Sequence, residues 1–159
     1  MTKEIENGWL PETMGDIDHT KMLPPFIRLV ESKRGKNGDI VSLFDFRVRQ
    51  PNVNHLGPVV LHSMEHILHE GYRFFSPDRI VNVSPMGCQT GFYIILLNIV
   101  DQKECTDLLI KVLNRALLLT KVPYENIYQC GQAKLHSLDE AKSFINEMLS
   151  KKQTFNTII

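Results

Sequence analysis

The sequence predicts an α+β fold of two layers, in which an antiparallel sheet is covered by helices on one face. Three observations lead to this prediction. Short runs rich in β-branched and aromatic residues are typical of strands, longer segments repeat apolar residues at helical spacing, and the two kinds do not alternate as regular βαβ units. Because the 159 residues contain no repeat and no linker, residues 1–159 are expected to form one domain.

The first half of the chain predicts an irregular segment, a hairpin and a helix. Residues 1 to about 24 are polar and contain prolines, so no regular element is expected there. Residues 26–30 and 40–49 are predicted strands, joined by a turn with Asn37-Gly38, which readily supplies the positive φ of a hairpin. A loop follows, and then a helix over about residues 59–75.

The second half predicts two more strands and two more helices. The strands cover residues 80–84 and 90–99, and a break with proline and glycine separates them. Apolar periodicity predicts a helix over residues 102–120. A capping-box pattern, a serine followed three residues later by a glutamate, opens a last helix over residues 137–150, and the tail, residues 151–159, has no clear pattern.

Composition and charge exclude several classes of function. Eighteen basic residues balance eighteen acidic ones without a basic run, which argues against nucleic acid or an anionic membrane as a partner. The longest apolar run, residues 92–100, is far shorter than the ~20 residues of a membrane span. Three cysteines are too few for a disulfide framework and no apolar signal region is visible, so a reducing cytoplasmic location is expected.

The clearest chemical signal is the pentapeptide His62-Ser63-Met64-Glu65-His66 in the predicted first helix. Residues four apart lie one turn apart on the same face, so the two imidazoles can reach one metal ion. Glu65 lies beside them and can carry a proton to or from a molecule that the metal holds. Many helices have two histidines at this spacing without a metal, so the pattern alone leaves both interpretations open.

The cysteines are candidates for the rest of a site. A catalytic metal commonly has three protein ligands and one open position, and Cys130, in a glycine-containing loop, is the best third candidate. Cys88 lies between two glycines in a strand break, which favours an exposed thiol that can exchange protons near neutral pH. The alternative for both is inert packing, and Cys105 is assigned no role.

Three other residues have open interpretations. His19 lies in a polar N-terminal segment, where it can contact a ligand or simply be solvated. Arg47 lies on the second predicted strand, where it can pair with Asp45 or bind a substrate carboxylate. His69 is three residues after His66, but the helical turn rotates it off the line of the histidine pair. The His-x-x-Glu-His order is also typical of inverted zinc peptidases, but those need a glutamate ligand on a distant helix and a larger chain.

Three segments carry distinctive residues in a fixed order: His62-Ser63-Met64-Glu65-His66, Ser84-Pro85-Met86-Gly87-Cys88-Gln89-Thr90-Gly91, and Gln129-Cys130-Gly131-Gln132-Ala133-Lys134-Leu135-His136. Together they resemble S-ribosylhomocysteine lyase, the LuxS family, and shorter matches extend the resemblance over residues 16–149. The resemblance implies the LuxS fold and cleavage of the thioether of S-ribosylhomocysteine. The products would be homocysteine and 4,5-dihydroxy-2,3-pentanedione, the precursor of the autoinducer-2 signal.

The resemblance also implies cofactor, partner and site residues. It implies a homodimer with two sites at the subunit interface, each with ferrous iron, although a His₂Cys set also suits Zn²⁺ or Co²⁺. The roles carried over by motif are as follows: His62, His66 and Cys130 as metal ligands, Cys88 and Glu65 as the acid/base pair, and His19, Arg47 and Asn82 as substrate-binding residues, with His19 and Arg47 acting across the interface.

The chain departs from the family pattern at a few positions. The family usually has an acidic residue where this chain has Asn82, and a neutral amide can bind a sugar hydroxyl but cannot take a proton. Met14 stands where a hydroxyl residue is expected, and the run His69-Glu70-Gly71-Tyr72 is atypical. The alternative function is therefore a metal-binding or signalling module of the same fold with reduced or lost catalysis.

Overall fold

Within residues 17–157, the part of the chain that it describes, the computed structural model contains a four-stranded sheet and three α-helices. The elements are β1 (Phe26–Arg34), β2 (Ile40–Arg47), α1 (Pro58–Phe75), β3 (Ile80–Pro85), β4 (Gly91–Leu97), α2 (Gln102–Ala116), α3 (Leu138–Ser150) and a 3₁₀ turn (Lys152–Thr154). The predicted α+β class is confirmed. The predicted irregular segment lies mostly outside the described residues, as does Met14. No described helix is both long enough and apolar enough to span a membrane.

The sheet has the order β1-β2-β4-β3, and every neighbouring pair is antiparallel. The predicted hairpin of β1 and β2 is confirmed, and Gly38 in its turn has a φ of 99°, which a glycine adopts without strain. Alternate residues of the two central strands are buried, as expected when helices cover one face of a sheet: Phe44, Phe46, Phe92, Ile94 and Leu96. The buried side chains of this face form one hydrophobic core with those of α1.

Helix α1 carries the pentapeptide and is anchored on its apolar side. Met64, Ile67, Leu68 and Tyr72 are buried in the core at helical spacing. Gly71 lets α1 approach α2 closely, since a Cβ at this position would lie 2.3 Å from Cγ1 of Val112. The helix is therefore held at a fixed rotation, which leaves both histidines of the pentapeptide half-buried at the edge of the core.

Predicted boundaries were wrong in four elements. Helix α2 ends at Ala116, not at residue 120, because the amides of Leu118 and Leu119 turn back to carbonyls three residues earlier, at 3.0 and 3.1 Å. Strand β2 ends at Arg47, since the next two amides both bond to the carbonyl of Thr90. Strand β1 is longer than predicted and β4 shorter.

The tail also has a structural role that its sequence did not indicate. Phe155 is fully buried, and its ring lies 5.6 Å from that of Phe46, measured between centroids. The amide of Ile27 donates to the carbonyl of Phe155 at 2.7 Å, so the tail is tied to the start of β1. One aromatic residue is too little to produce a periodic pattern, which is why the tail was predicted as unpatterned.

Candidate metal centre

Four side chains with metal-binding atoms converge between α1 and the segment that joins α2 to α3. They are His62, His66, Cys130 and His136, and their candidate ligand atoms all lie within 4.8 Å of one another. The first three are the residues that the sequence predicted as ligands. The group could bind a metal ion, and that these particular atoms do so stays a prediction.

The two histidines of α1 are oriented by backbone carbonyls. The Nδ1 atom of His62 lies 3.0 Å from the carbonyl oxygen of Leu135, and Nδ1 of His66 lies 2.7 Å from that of Pro123. A carbonyl can only accept, so each Nδ1 carries a hydrogen, and in the neutral form of the ring the lone pair then lies on Nε2. This tautomer, with an outer hydrogen bond that fixes the ring, is the usual one for metal-binding histidines.

Cys130 is placed by the local structure of its loop. Its amide donates to the carbonyl of Asn126 at 3.0 Å, while the Asn126 side chain accepts from the amides of Tyr128 and Gln129 at 3.1 and 3.2 Å. An asparagine that accepts from the following backbone amides tightens a turn. This turn directs the Cys130 thiol toward His62.

The spacing and chemistry of these atoms fit a divalent transition metal. The Sγ atom of Cys130 lies 3.5 Å from Nε2 of His62. Bonds of about 2.1 Å to nitrogen and 2.3 Å to sulfur at tetrahedral angles separate the two ligand atoms by roughly 3.6 Å. Two neutral imidazoles and a thiolate suit iron, zinc and cobalt alike.

His136 is a site residue to which the sequence analysis gave no role. Its ring stacks on that of His62 at 4.0 Å, and its Nε2 lies 3.3 Å from Sγ of Cys130. Burial, followed by the neighbouring His62 and His66, lowers the pKa of His136 to about 4, so it is neutral near pH 7. The sequence feature that could have indicated a role for His136 is its position, six residues after Cys130 and directly before the capping Ser137.

The buried hydroxyl of Ser63 links His136 to the start of α3. It accepts a hydrogen bond from the amide of Ser137 at 3.0 Å and lies 3.4 Å from Nδ1 of His136. Ser137 in turn caps α3 by accepting from the amide of Glu140 at 3.2 Å, as the sequence predicted. The second residue of the pentapeptide therefore holds the loop that carries two of the four converging side chains.

A polar cavity of about 390 Å³ adjoins the four-residue group through His66. Glu65 lines it, as does Asn82 of β3, together with His69, Arg73, Tyr124 and Gln129. Partial burial, followed by the positive charge of Arg73, lowers the pKa of His69. The proposed proton carrier Glu65 and the unusual Asn82 thus face the same space as one of the predicted ligands.

Cys88 belongs to a different group of residues. It is exposed in the loop between β3 and β4, and its Sγ lies 2.9 Å from Oγ1 of Thr90 and 3.9 Å from Nη1 of Arg47. Partial burial raises the pKa of the Cys88 thiol, but the hydrogen bonds of Thr90 and the charge of Arg47 outweigh it and lower the pKa below the ordinary value of 9.0. Exposure and a lowered pKa are what a proton-exchanging thiol needs.

Of the two interpretations of Arg47, the structure shows the ion pair. Its Nε and Nη2 donate to the two carboxylate oxygens of Asp45 at 3.1 and 2.8 Å, and its Nη1 donates to Oγ1 of Thr90 at 2.8 Å. His19 is exposed, and its carbonyl accepts from Nε2 of Gln50 at 3.1 Å. Within residues 17–157, no hydrogen bond joins His19 or Cys88 to the four-residue group.

Comparison with known proteins agrees with this arrangement. A family model described as S-Ribosylhomocysteinase (LuxS) matches residues 15–158. The chain belongs to the LuxS family. The resemblance seen in the sequence is thereby confirmed, and it covers nearly the whole chain.

Curated members of the LuxS family are similar over most of their length. The chain is 44% identical over 143 residues to an S-ribosylhomocysteine lyase of Macrococcus caseolyticus, which covers 90% of this chain and 88% of that protein. It is 41% identical to those of Staphylococcus haemolyticus and Chromohalobacter salexigens, over 90% of this chain and 91% and 92% of the relatives. A match of this extent includes every predicted site residue from His19 to Cys130.

Proposed function

We propose that this LuxS-family protein is an S-ribosylhomocysteine lyase, a carbon–sulfur lyase that releases homocysteine and 4,5-dihydroxy-2,3-pentanedione. The observation that carries the proposal is the convergence of His62, His66 and Cys130 beside a polar cavity lined by Glu65 and Asn82. The 44% identity to a curated lyase supports the same substrate.

The reaction must first make the C5–S bond able to break. In an aldose nothing beside C5 stabilises negative charge, but a carbonyl moved from C1 to C2 and then to C3 makes the proton on C4 acidic. Removal of that proton then expels homocysteine as a thiolate by β-elimination, and the thiolate takes up a proton. A divalent metal held by His62, His66 and Cys130 would supply Lewis acidity toward the sugar oxygens.

The protein groups move the protons. Each carbonyl migration takes a proton from one carbon and returns one to its neighbour, so a carboxylate and a thiolate on the two sides of the sugar suffice. Glu65 faces the cavity, and the pKa of Cys88 is lowered from its ordinary value, which favours the thiolate that a base needs. Asn82 can donate to or accept from a sugar hydroxyl, while Arg47 and His19 complete the proposed substrate-binding set.

A homodimer would bring Cys88 of one subunit close to the four-residue metal-binding group of the other. The thiol of Cys88 faces outward and has no hydrogen bond to the metal group of its own chain, within the residues that the structure describes. Ile127 and Tyr128, just before Cys130, are large apolar side chains that are 76% and 91% exposed. Exposed apolar groups at the edge of a site favour an interface there. The partner subunit's Cys88 would then face the cavity beside Glu65.

Complementation tests whether the site is shared. Cys88→Ala and Glu65→Gln proteins are each expected to be inactive. If the two residues of one site come from different subunits, re-assorted mixed dimers contain one intact site, and a 1:1 mixture regains about a quarter of the wild-type activity. No recovery after confirmed subunit exchange would place both residues of a site in the same chain.

Ferrous iron is the proposed metal, and Zn²⁺ and Co²⁺ are compatible with the same ligands. A reducing cytoplasm is the proposed location, because the three cysteines are free and two of them have proposed roles that need a free thiol. Metal analysis of anaerobically purified protein tests the first statement. Iron at one equivalent per chain is expected, and zinc alone would contradict it.

The second candidate function is a metal-binding module with reduced catalysis, favoured by the neutral Asn82 in the cavity. Iron-loaded protein is incubated anaerobically with S-ribosylhomocysteine, and homocysteine is quantified after quenching. Steady release that is lost in Cys88→Ala and kept in the matched Cys105→Ala control supports the lyase. Absence of release from a fully loaded dimer would favour the module, and recovery in Asn82→Asp would identify the amide as its cause.

A further inference from the structure

Thr90 connects the exposed thiol of Cys88 to a buried ion pair. Its side chain is only 3% exposed, and its Oγ1 accepts from Nη1 of Arg47 at 2.8 Å while lying 2.9 Å from Sγ of Cys88. Arg47 is held in place by two hydrogen bonds to Asp45, which is itself buried. The row of contacts therefore runs from Asp45 through Arg47 and Thr90 to the sulfur.

The direction of these hydrogen bonds follows from the chemistry of the groups. A guanidinium can only donate, so the Thr90 oxygen must accept from Arg47. The single hydroxyl hydrogen of Thr90 is then free to be donated, and the Cys88 sulfur is the acceptor beside it. A thiolate accepts that hydrogen strongly, whereas the sulfur of a neutral thiol is only a weak acceptor. The arrangement therefore stabilises the charged form of Cys88.

We propose that Thr90 is a positioning residue for Cys88: the Thr90 hydroxyl donates a hydrogen bond that keeps the Cys88 sulfur in its outward-facing position and stabilises its thiolate form. The proposal deepens the proposed function, and its catalytic consequence rests on that function. The charged groups that face the thiol are Arg47, and behind it Asp45 and Arg28, whose Nη2 lies 3.7 Å from the Asp45 carboxylate. Without the Thr90 hydroxyl, the nearest charged group would still be Arg47, whose Nη1 lies 3.9 Å from the Cys88 sulfur.

The backbone allows the hydroxyl to be removed without moving the loop. The carbonyl of Thr90 accepts from the amides of Val48 and Arg49 at 2.9 and 3.1 Å, and these bonds do not involve the side chain. Valine has the shape of threonine and lacks the hydrogen bond. Thr106→Val is the matched control, because Thr106 is also buried and, among the described residues, its hydroxyl bonds to Gln102 and Asn156 and not to Cys88.

The test is a pH titration of the Cys88 thiolate in the full, anaerobically metal-loaded chain. Thiolate absorbance near 240 nm is recorded for each variant and corrected with the same variant carrying Cys88→Ala. Thr90→Val is expected to raise the Cys88 pKa by about one unit, so alkylation of Cys88 by iodoacetamide below the pKa slows roughly tenfold. Thr90→Ser, which keeps the hydroxyl, and Thr106→Val are expected to leave both values unchanged.

An unchanged Cys88 pKa in Thr90→Val would overturn the proposal. If Thr90→Val does not fold, Thr90→Ala gives the same decision by the same titration. A rise of the Cys88 pKa in Thr106→Val equal to that in Thr90→Val would also refute the proposal, since the effect would then come from a general loss of stability. The titration measures the thiol without turnover. A raised Cys88 pKa in Thr90→Val, together with no homocysteine release from the wild-type protein, would therefore refute the lyase and leave the role of Thr90 intact.

Discussion

Replacing Asp45 by asparagine removes the anion from the buried pair that supports Cys88. Asp45 and Arg47 are 1% and 3% exposed, and both carboxylate oxygens accept from the guanidinium, at 3.1 and 2.8 Å. Asparagine keeps the shape but leaves the Arg47 charge buried without a counter-ion. Breaking one side of such a pair costs about 3–5 kcal/mol of unfolding free energy, a large part of the roughly 5–15 kcal/mol of a typical domain.

Urea denaturation at a fixed protomer concentration measures this cost. With a dependence of about 2 kcal/mol per molar urea, the midpoint of Asp45→Asn is expected to fall by roughly 2 M. The matched control is Glu104→Gln, which breaks an ion pair of similar length, 2.7 Å to Arg79, whose side chains are 46% and 45% exposed. Such an exposed pair contributes about 1 kcal/mol or less. Equal losses in the two variants would refute the argument that Asp45–Arg47 is a buried structural pair.

Three further predictions concern the metal, the helix packing and the thiol. Cys130→Ala is expected to lose stoichiometric metal while Glu65→Gln keeps it and loses turnover, and elemental analysis showing full metal in Cys130→Ala would contradict the ligand set. Gly71→Ala is expected to lower the unfolding free energy by about 1–2 kcal/mol in urea, because the new Cβ would lie 2.3 Å from the stiff Val112 side chain and the cost of overpacking exceeds the ~1 kcal/mol that alanine contributes to a helix. Because the Cys88 pKa is lowered from 9.0, its alkylation rate is expected to rise with pH and reach half its maximum below pH 9, and a midpoint at or above pH 9 would contradict this.

Most elements of the fold could be predicted from local patterns. Helix α1 was predicted nearly to its ends because Met64, Ile67 and Leu68 have the spacing of a buried face, and α3 because Ser137 caps it. The end of α2 could not be predicted, since the apolar pattern continues past Ala116 although the chain turns away. Beyond the turn, Val122 is buried while Leu118 is 78% exposed. Which of the two apolar residues is buried depends on tertiary packing, which a local sequence pattern does not contain.

The candidate site was predicted in its types of residue and less well in its geometry. The spacing of His62 and His66 on a helix is a local property and could be predicted. His136 converges with them through long-range contacts, among them that of Ser63 with His136, residues 73 positions apart. The outward position of Cys88 and its contact with Thr90 likewise follow from the pairing of β4 with β2. The sequence alone could therefore assign the thiol a role, but it could not predict which residues surround it.

The most direct test of the proposed lyase measures homocysteine and bound iron in the same samples. Anaerobically iron-loaded wild-type protein and Cys88→Ala are incubated with S-ribosylhomocysteine, and each is assayed for released homocysteine and for iron per chain. The proposed mechanism predicts steady release from the wild type and none from Cys88→Ala, with iron retained in both. Equal release from the two proteins, or no release from fully loaded wild type, would contradict it.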